Sequence, residues 1–271
     1  MLRSNLLDRL NLSVKLHHKP VSDSVYAAEQ PIPNIYKMKH ARVNVSVVLA
    51  MSADGKIAAR DRTAARFSSK NDRLHLETLV AQADAVLFGA GTLRAYGTCL
   101  PVRRPELLQQ RQARQQSPQP IQMVCSQSGS LDAQWRFFQQ SVPRWLLTSV
   151  IGAQRWSEMA RDDHTHFDRI LPELTDPMDW RSLLQQLKES GIQRLALLGG
   201  GTLVASFAEQ DLIDELHLTV CPLLLGGATA PTPFDGNGLA IARASRLRLV
   251  DALQQGDEMF LHYRCCHPEG D

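Results

Sequence analysis

The sequence predicts an α/β protein with a mixed, mostly parallel sheet, helices on both faces and an antiparallel hairpin at its C-terminal end. Three observations carry that expectation. Short apolar runs alternate with helical segments from Val43 to about Gln210. After residue 214, strand-like runs follow one another with no long helix between them. Two of the apolar runs stop at glycine clusters, where a strand-to-helix turn needs backbone freedom. Strands joined through helices pair in parallel, and strands joined directly pair antiparallel.

The elements follow in order. VSVVLA (45–50) is a continuous apolar strand of the kind buried on both faces. Residues 69–83 read as a helix with Ser68 as N-cap and Leu76, Leu79, Val80 and Ala83 on one face. DAVLFG (84–89) is the second strand. Residues 101–120, rich in Gln, Arg and Pro, read as an exposed loop or a short helix. IQMVC (121–125) and RWLLT (144–148) are further short strands. WRSLLQQLKES (180–190) is a helix closed by Gly191, which suits a left-handed C-terminal cap. IQRLALL (192–198) is a strand and TLVASFAEQ (202–210) the helix after it. Strands at 215–225, 245–253 and 258–264 complete the pattern, with GLAIA (238–242) as a connecting turn. Residues 1–40, with three prolines and no strong periodicity, read as a loosely ordered extension to a domain of residues 41–266; 267–271 read as a tail.

Composition narrows the function classes. Of the 271 residues, 44% are apolar and 21% charged, as expected of a soluble protein with a sizeable core. A net charge of +2 is too small to imply a nucleic-acid or membrane-surface partner. No apolar run reaches the roughly 18 residues of a membrane span, and the N-terminus does not read as a signal peptide. The five cysteines fit neither a metal pattern nor a disulfide framework, so reduced thiols and a cytoplasmic setting are expected. His164 and His166 read as solvated loop histidines, and no metal site is expected.

Chemistry concentrates at strand ends. LALLGGGTLVASF (195–207) places Gly199, Gly200 and Gly201 between a strand and a helix. Glycine lets a ligand touch the main chain, and the free N–H groups of a helix's first turn favour an anion. LFGAGTLR (87–94) repeats the arrangement, with Thr92 offering a hydroxyl and Arg94 a charge. Each turn alone is also what a tight connection without a ligand needs; together they suit one crevice at the sheet's C-terminal edge. In VVLAMSADGKIA (47–58), a strand runs into Ser52, an Asp54-Gly55 turn and Lys56, either a plain turn or a polar mouth to the same crevice.

AMSADGKIA, the FSS at 67–69, ADAVLFGAGT (83–92), LGGGTLVASF (198–207) and DELHLTVCPLLLGG (214–227) together resemble the reductase domain of riboflavin biosynthesis, over about residues 42–264. The resemblance implies a three-layer fold like that of dihydrofolate reductase and a homodimer. It implies that NADPH delivers a hydride to C1′ of a ribosylaminopyrimidine 5′-phosphate, giving a ribitylamine. It places Ala50 near the nicotinamide, Thr92 on the cofactor, and Gly199 to Leu203, Thr202 included, on the phosphate-binding turn. Ser126, helped by Arg94, falls near the adenosine 2′-phosphate. Asp54 and Lys56 match the family's DGK signature, with Lys56 polarising or holding the open-chain sugar, and Ser52 joins them at the substrate. Arg103, in LPVRR with Leu100, matches an Arg that holds the substrate phosphate, a task suited to a fork of donors.

The sequence departs from the family at several positions. Leu198 stands where Glu is frequent, Val80 where the first helix carries a substrate Arg, Tyr96 where an Asp follows the GxGT turn, and Arg66 in place of a Trp. These departures leave room for another substrate, such as a pterin or another imine or carbonyl, or for a nucleotide-binding relative without turnover. The H-x-E and P-C-x-x-C zinc signature of a deaminase half is missing from the sequence, so deamination is expected of another chain.

Overall fold

The computed structural model describes residues 42–65, 67, 69–159, 167–175 and 177–266. The expected extension 1–40 and tail 267–271, and likewise Arg66, Ser68, His164 and His166, lie outside the described residues.

Among the described residues, nine strands form one sheet. They are β1 (Asn44–Ser52), β2 (Ala85–Gly89), β3 (Ile121–Ser126), β4 (Arg144–Thr148), β5 (Arg169–Leu171), β6 (Arg194–Leu197), β7 (Glu215–Cys221), β8 (Arg246–Gln255) and β9 (Glu258–Cys266). Their order across the sheet is β5-β4-β3-β2-β6-β1-β7-β9-β8. The strands from β5 to β7 run parallel, whereas β9 is antiparallel to β7 and to β8. That is the predicted mixed sheet with its C-terminal hairpin.

Alternation along the central strands divides the core in two. Leu87, Met123, Leu147, Leu195 and Leu197 face one side, packed under α6 (Trp180–Glu189) and α7 (Gly201–Glu209). Val86, Phe88, Val124, Leu146 and Ala196 face the other. That side is covered by α1 (Lys70–Gln82), α2 (Ala90–Tyr96), α3 (Pro105–Ala113), α4 (Arg136–Gln139) and α5 (Val150–Met159). The three layers expected from the resemblance are therefore present.

Several boundaries differ from expectation for local reasons. Ser69, not Ser68, caps α1: its hydroxyl oxygen accepts from the N–H groups of Asn71 and Asp72 at 3.0 and 3.1 Å. The Gln-rich stretch forms α3, and its Arg111 is buried rather than surface-exposed. Arg111 donates to Ala81 O and Ala83 O at the end of α1 at 2.9 and 2.7 Å, satisfying carbonyls that a helix end leaves free. Pro222 cannot continue the ladder, and β7 stops at Cys221 rather than at 225. Gly191 takes φ +89° after α6, as its placement suggested.

Candidate active site

The C-terminal ends of β1, β2 and β6 open into a cavity of about 690 Å³. Ligand sites in open α/β sheets sit at this edge, and this volume is typical of them. The two glycine turns meet there. The N–H of Gly89 donates to Gly199 O at 3.3 Å, and the N–H of Leu198 to Leu87 O at 2.9 Å, so the ends of β2 and β6 are locked side by side. Gly91, Thr92, Gly199, Gly200 and Gly201 all line the cavity. A Cβ added to Gly200 would lie 4.0 Å from Thr92 Oγ1, which sets the two corners face to face across the same space.

The three consecutive glycines answer to different constraints. Gly199 has φ +96°, and a Cβ on it would come within 2.9 Å of Leu49. Gly200 has φ +50° and caps α7, so its bare backbone faces the cavity. Gly201 is required by the protein itself, because a Cβ there would sit 2.2 Å from Thr232 O. Thr202 is exposed in the first turn of α7, and Leu203 packs partly against the core. The turn read from LFGAGTLR is the start of α2, with Gly89 as its N-cap and Thr92 in its first turn.

Of the remaining predicted residues only two line this cavity; Ser126, Arg94, Arg103, Thr202 and Leu203 do not. Ala50 and Leu100 line it. Ser126 is buried at the end of β3, beside the strand that ends in Gly89, and Arg94 is exposed on α2. Ser52, Asp54 and Lys56 do not line the cavity but brace its wall. The buried Ser52 hydroxyl donates to Asp54 Oδ1 at 2.6 Å and accepts from the Lys56 N–H at 2.9 Å. Asp54 also accepts from the N–H groups of Leu225 and Gly226 at 3.0 and 2.6 Å. These donors, Ser52 foremost, lower its carboxyl to about 2. Lys56 Nζ donates to Ala230 O at 3.4 Å, and the next two residues, Ile57 and Ala58, enter the cavity wall. Arg103 is exposed, and its backbone N–H is held by Glu77 Oε1 of α1 at 2.7 Å.

Other cavity residues were not expected at the site from the sequence, although Leu76 was read on the helix's apolar face and Ser69 within the FSS stretch. Ser69, Asp72, Arg73 and Leu76 line the cavity from α1 at positions i, i+3, i+4 and i+7, one helical face. The spacing was available in the sequence; the apolar face of the same helix masked it. Val80, the position expected to carry a substrate Arg, is buried in the core and does not reach the cavity, whereas Arg73 does. Leu198 is in the wall, where the family often has Glu. His75 is held down at about 4, by burial first and then by His217 and His262, so it is neutral at pH 7. Burial pushes the Cys99 thiol up to about 12, which leaves that cavity thiol protonated and unreactive.

A dinucleotide fits the residues present. It needs main chain free of side chains at its phosphates, and Gly91 and Gly200 provide that at facing corners; a Cβ on Gly91 would meet nothing within 4 Å.

The model of the RibD C-terminal domain matches residues 43–261. A 2,5-diamino-6-ribosylamino-4(3H)-pyrimidinone 5′-phosphate reductase from Archaeoglobus fulgidus is 28% identical over 216 residues, covering 79% of this chain and 95% of that protein. The protein of the same name from Methanothermobacter thermautotrophicus is 29% identical over 219 residues, covering 79% and 94%. The riboflavin biosynthesis protein RibD of Escherichia coli is 26% identical over 228 residues, 80% of this chain and 59% of its own. Among solved structures, Acinetobacter baumannii RibD superposes with a TM-score of 0.68 at 21% identity, covering 85% of this chain and 60% of that one. A pyrimidine reductase-like protein from Corynebacterium diphtheriae gives 0.67 at 19% identity, covering 83% and 92%.

Proposed function

The chain belongs to the RibD C-terminal domain family, and from that premise we propose that it is a reductase of riboflavin biosynthesis. Its substrate is a ribosylaminopyrimidine 5′-phosphate whose ribosyl group it reduces to ribityl, with NADPH as cofactor. The observation that carries this is the pair of hydrogen-bonded glycine corners, at Gly89–Gly91 and Gly199–Gly200, facing each other across one cavity. The two archaeal relatives, which this chain matches over nearly their whole length, are named for the 2,5-diamino-pyrimidinone. That favours reduction of the diamino ring over the deaminated uracil.

When bound, NADPH supplies the hydride. The chain's residues supply alignment and charge. Gly200, Gly201, Thr202 and Leu203 begin α7, where free N–H groups favour a phosphate, and Thr92 adds its hydroxyl from the opposite corner. Ser126 and Arg94 serve the adenosine 2′-phosphate, and Ala50 presents its backbone to the nicotinamide. Ser52 and Asp54 hold the turn after β1, so Asp54 acts by positioning, and Lys56, whose Nζ rests on Ala230 O behind the wall, engages the open-chain sugar by swinging its side chain from that carbonyl to the cavity. Arg73 and Leu100, which line the cavity, support a substrate-phosphate subsite on this side, to which Arg103, in the loop that Glu77 tethers, adds its charge.

We further propose a cytoplasmic homodimer. Leu247, Leu249, Val250 and Leu253 of β8, the edge strand among the described residues, are each about half exposed, and a row of exposed apolar residues on a sheet edge invites a second strand. Among the described residues, no helix is long and apolar enough to cross a membrane.

Oxidation of NADPH followed by absorbance with each of the two pyrimidine substrates tests the assignment. Turnover of the diamino substrate with a higher kcat/KM than the uracil is expected. Turnover of neither, with NADPH still bound, would return the choice to a different ring, which Leu198 in the cavity wall favours. Absence of NADPH binding would end the enzyme assignment.

A further inference from the structure

Away from the glycine corners, the sheet gathers three metal-ligating side chains. Residues 215, 217, 219 and 221 of β7 share one face because side chains alternate along a strand. Antiparallel pairing sets His262 of β9 directly opposite His217. The two imidazoles stack, with centroids 4.1 Å apart and planes inclined by 15°. Both direct Nε2 at the same atom, Glu215 Oε2, at 3.5 Å from His217 and 3.3 Å from His262. The ligand atoms of all three residues lie within 4.8 Å of one another.

Those separations are informative. Tetrahedral zinc holds imidazole nitrogen and carboxylate oxygen at about 2.0–2.2 Å, which places any two ligand atoms about 3.3–3.5 Å apart. The carboxylate-to-imidazole distances already match that edge length, and because near-parallel stacked rings cannot both aim an in-plane lone pair at one ion, one imidazole turns about its Cβ–Cγ bond on binding. The side chains of Glu215 and His217 are 9% and 11% exposed, while His262 at 24% leaves a way in from solvent.

We propose that Glu215, His217 and His262 form a binding site for a divalent transition-metal ion of the zinc class, with a fourth position open to water. Two imidazoles and one carboxylate suit zinc, nickel or copper, whereas magnesium and calcium call for more oxygen ligands. On binding, each ring presents the Nε2 lone pair, and its proton is carried on Nδ1 by tautomer exchange with solvent. The ion bridges β7 to β9, joining the parallel part of the sheet to its terminal hairpin. His75 stands 6.4 Å from His217, ring centre to ring centre, and lines the cavity, so the site lies behind the cavity wall rather than within it.

The test uses the full chain stripped with a chelator and titrated with Zn²⁺ by calorimetry and with Co²⁺ by visible absorption. One equivalent bound by these residues is expected, with the intense bands of tetrahedral Co²⁺. At 100 times Kd, Zn²⁺ should raise Tm by about 5–10 °C for a chain of this size. Glu215→Gln and His262→Gln should each weaken binding at least tenfold and remove the Co²⁺ bands. Both variants are first checked for native circular dichroism in chelator; if one fails to fold, the other carries the test. No binding by the wild type, or unchanged affinity and Co²⁺ spectrum in the folded variant, overturns the proposal. These readouts do not involve turnover, so they stand or fall separately from the reductase assignment.

Discussion

Gly91 allows cofactor recognition to be separated from folding. It lies in the first turn of α2 and lines the cavity, and it does not have a positive φ. A Cβ there would meet no protein atom within 4 Å. Glycine in a helix is destabilising by roughly 0.5–1 kcal/mol relative to alanine. Gly91→Ala should therefore stabilise the fold by that amount, about 1–4 °C in Tm for a chain of this size. The effect on binding runs the other way. A hydrogen bond to a charged group contributes about 1.5–3 kcal/mol, and a methyl that holds a phosphate out of range forfeits at least one such bond. That corresponds to a loss of about 10- to 100-fold in NADPH affinity, and Gly91→Leu should abolish measurable binding. Thermal unfolding and fluorescence titration with NADPH, on the same preparations, read the two quantities. If both variants bind NADPH as the wild type does, the cofactor does not approach this corner. If Gly91→Ala lowers Tm, the glycine is there for packing and the separation fails.

Other perturbations probe the remaining parts of the site. Asp54 has a folded pKa of about 2 against an ordinary 3.8, so its contribution is complete above about pH 4 and is lost as pH falls through 2. Asp54→Asn should lower the denaturation midpoint at pH 7, with the gap to wild type closing between pH 4 and 2; a gap independent of pH would contradict the role given to the carboxylate. Arg73→Ala should raise KM for the phosphorylated substrate at least tenfold with little change in NADPH affinity, and the dephosphorylated nucleoside should not distinguish variant from wild type. Equal KM values for the two enzymes would leave Arg103 as the phosphate ligand. Leu249→Arg combined with Leu253→Arg on β8 should convert the proposed dimer to a monomer in sedimentation velocity, and an unchanged mass would move the interface elsewhere.

Much of the fold was legible because the responsible forces are local. The buried strands β1, β2 and β6 announced themselves as apolar runs, and α6 by its spaced leucines and Gly191. Elements with weak local patterns escaped. Helix α2 follows β2 without a connecting residue and opens on Ala-Gly-Thr, so it read as a turn. Helix α5 and the three-residue β5 gave no periodicity long enough to notice. Arg111 looked like surface because its partners, the carbonyls of Ala81 and Ala83, lie some thirty positions away.

The sequence by itself determined that glycine corners terminate two strands and that a DGK turn follows the first, since turn chemistry depends on neighbouring residues alone. Only the tertiary structure decided that β6 inserts between β1 and β2, which brings Gly89 against Gly199 and makes two corners into one cavity. It also turned the Ser52–Asp54–Lys56 cluster toward the loop after β7, and set His262 against His217 and Glu215. Strand order and antiparallel register are settled by packing of the whole sheet, and no short window of sequence encodes them.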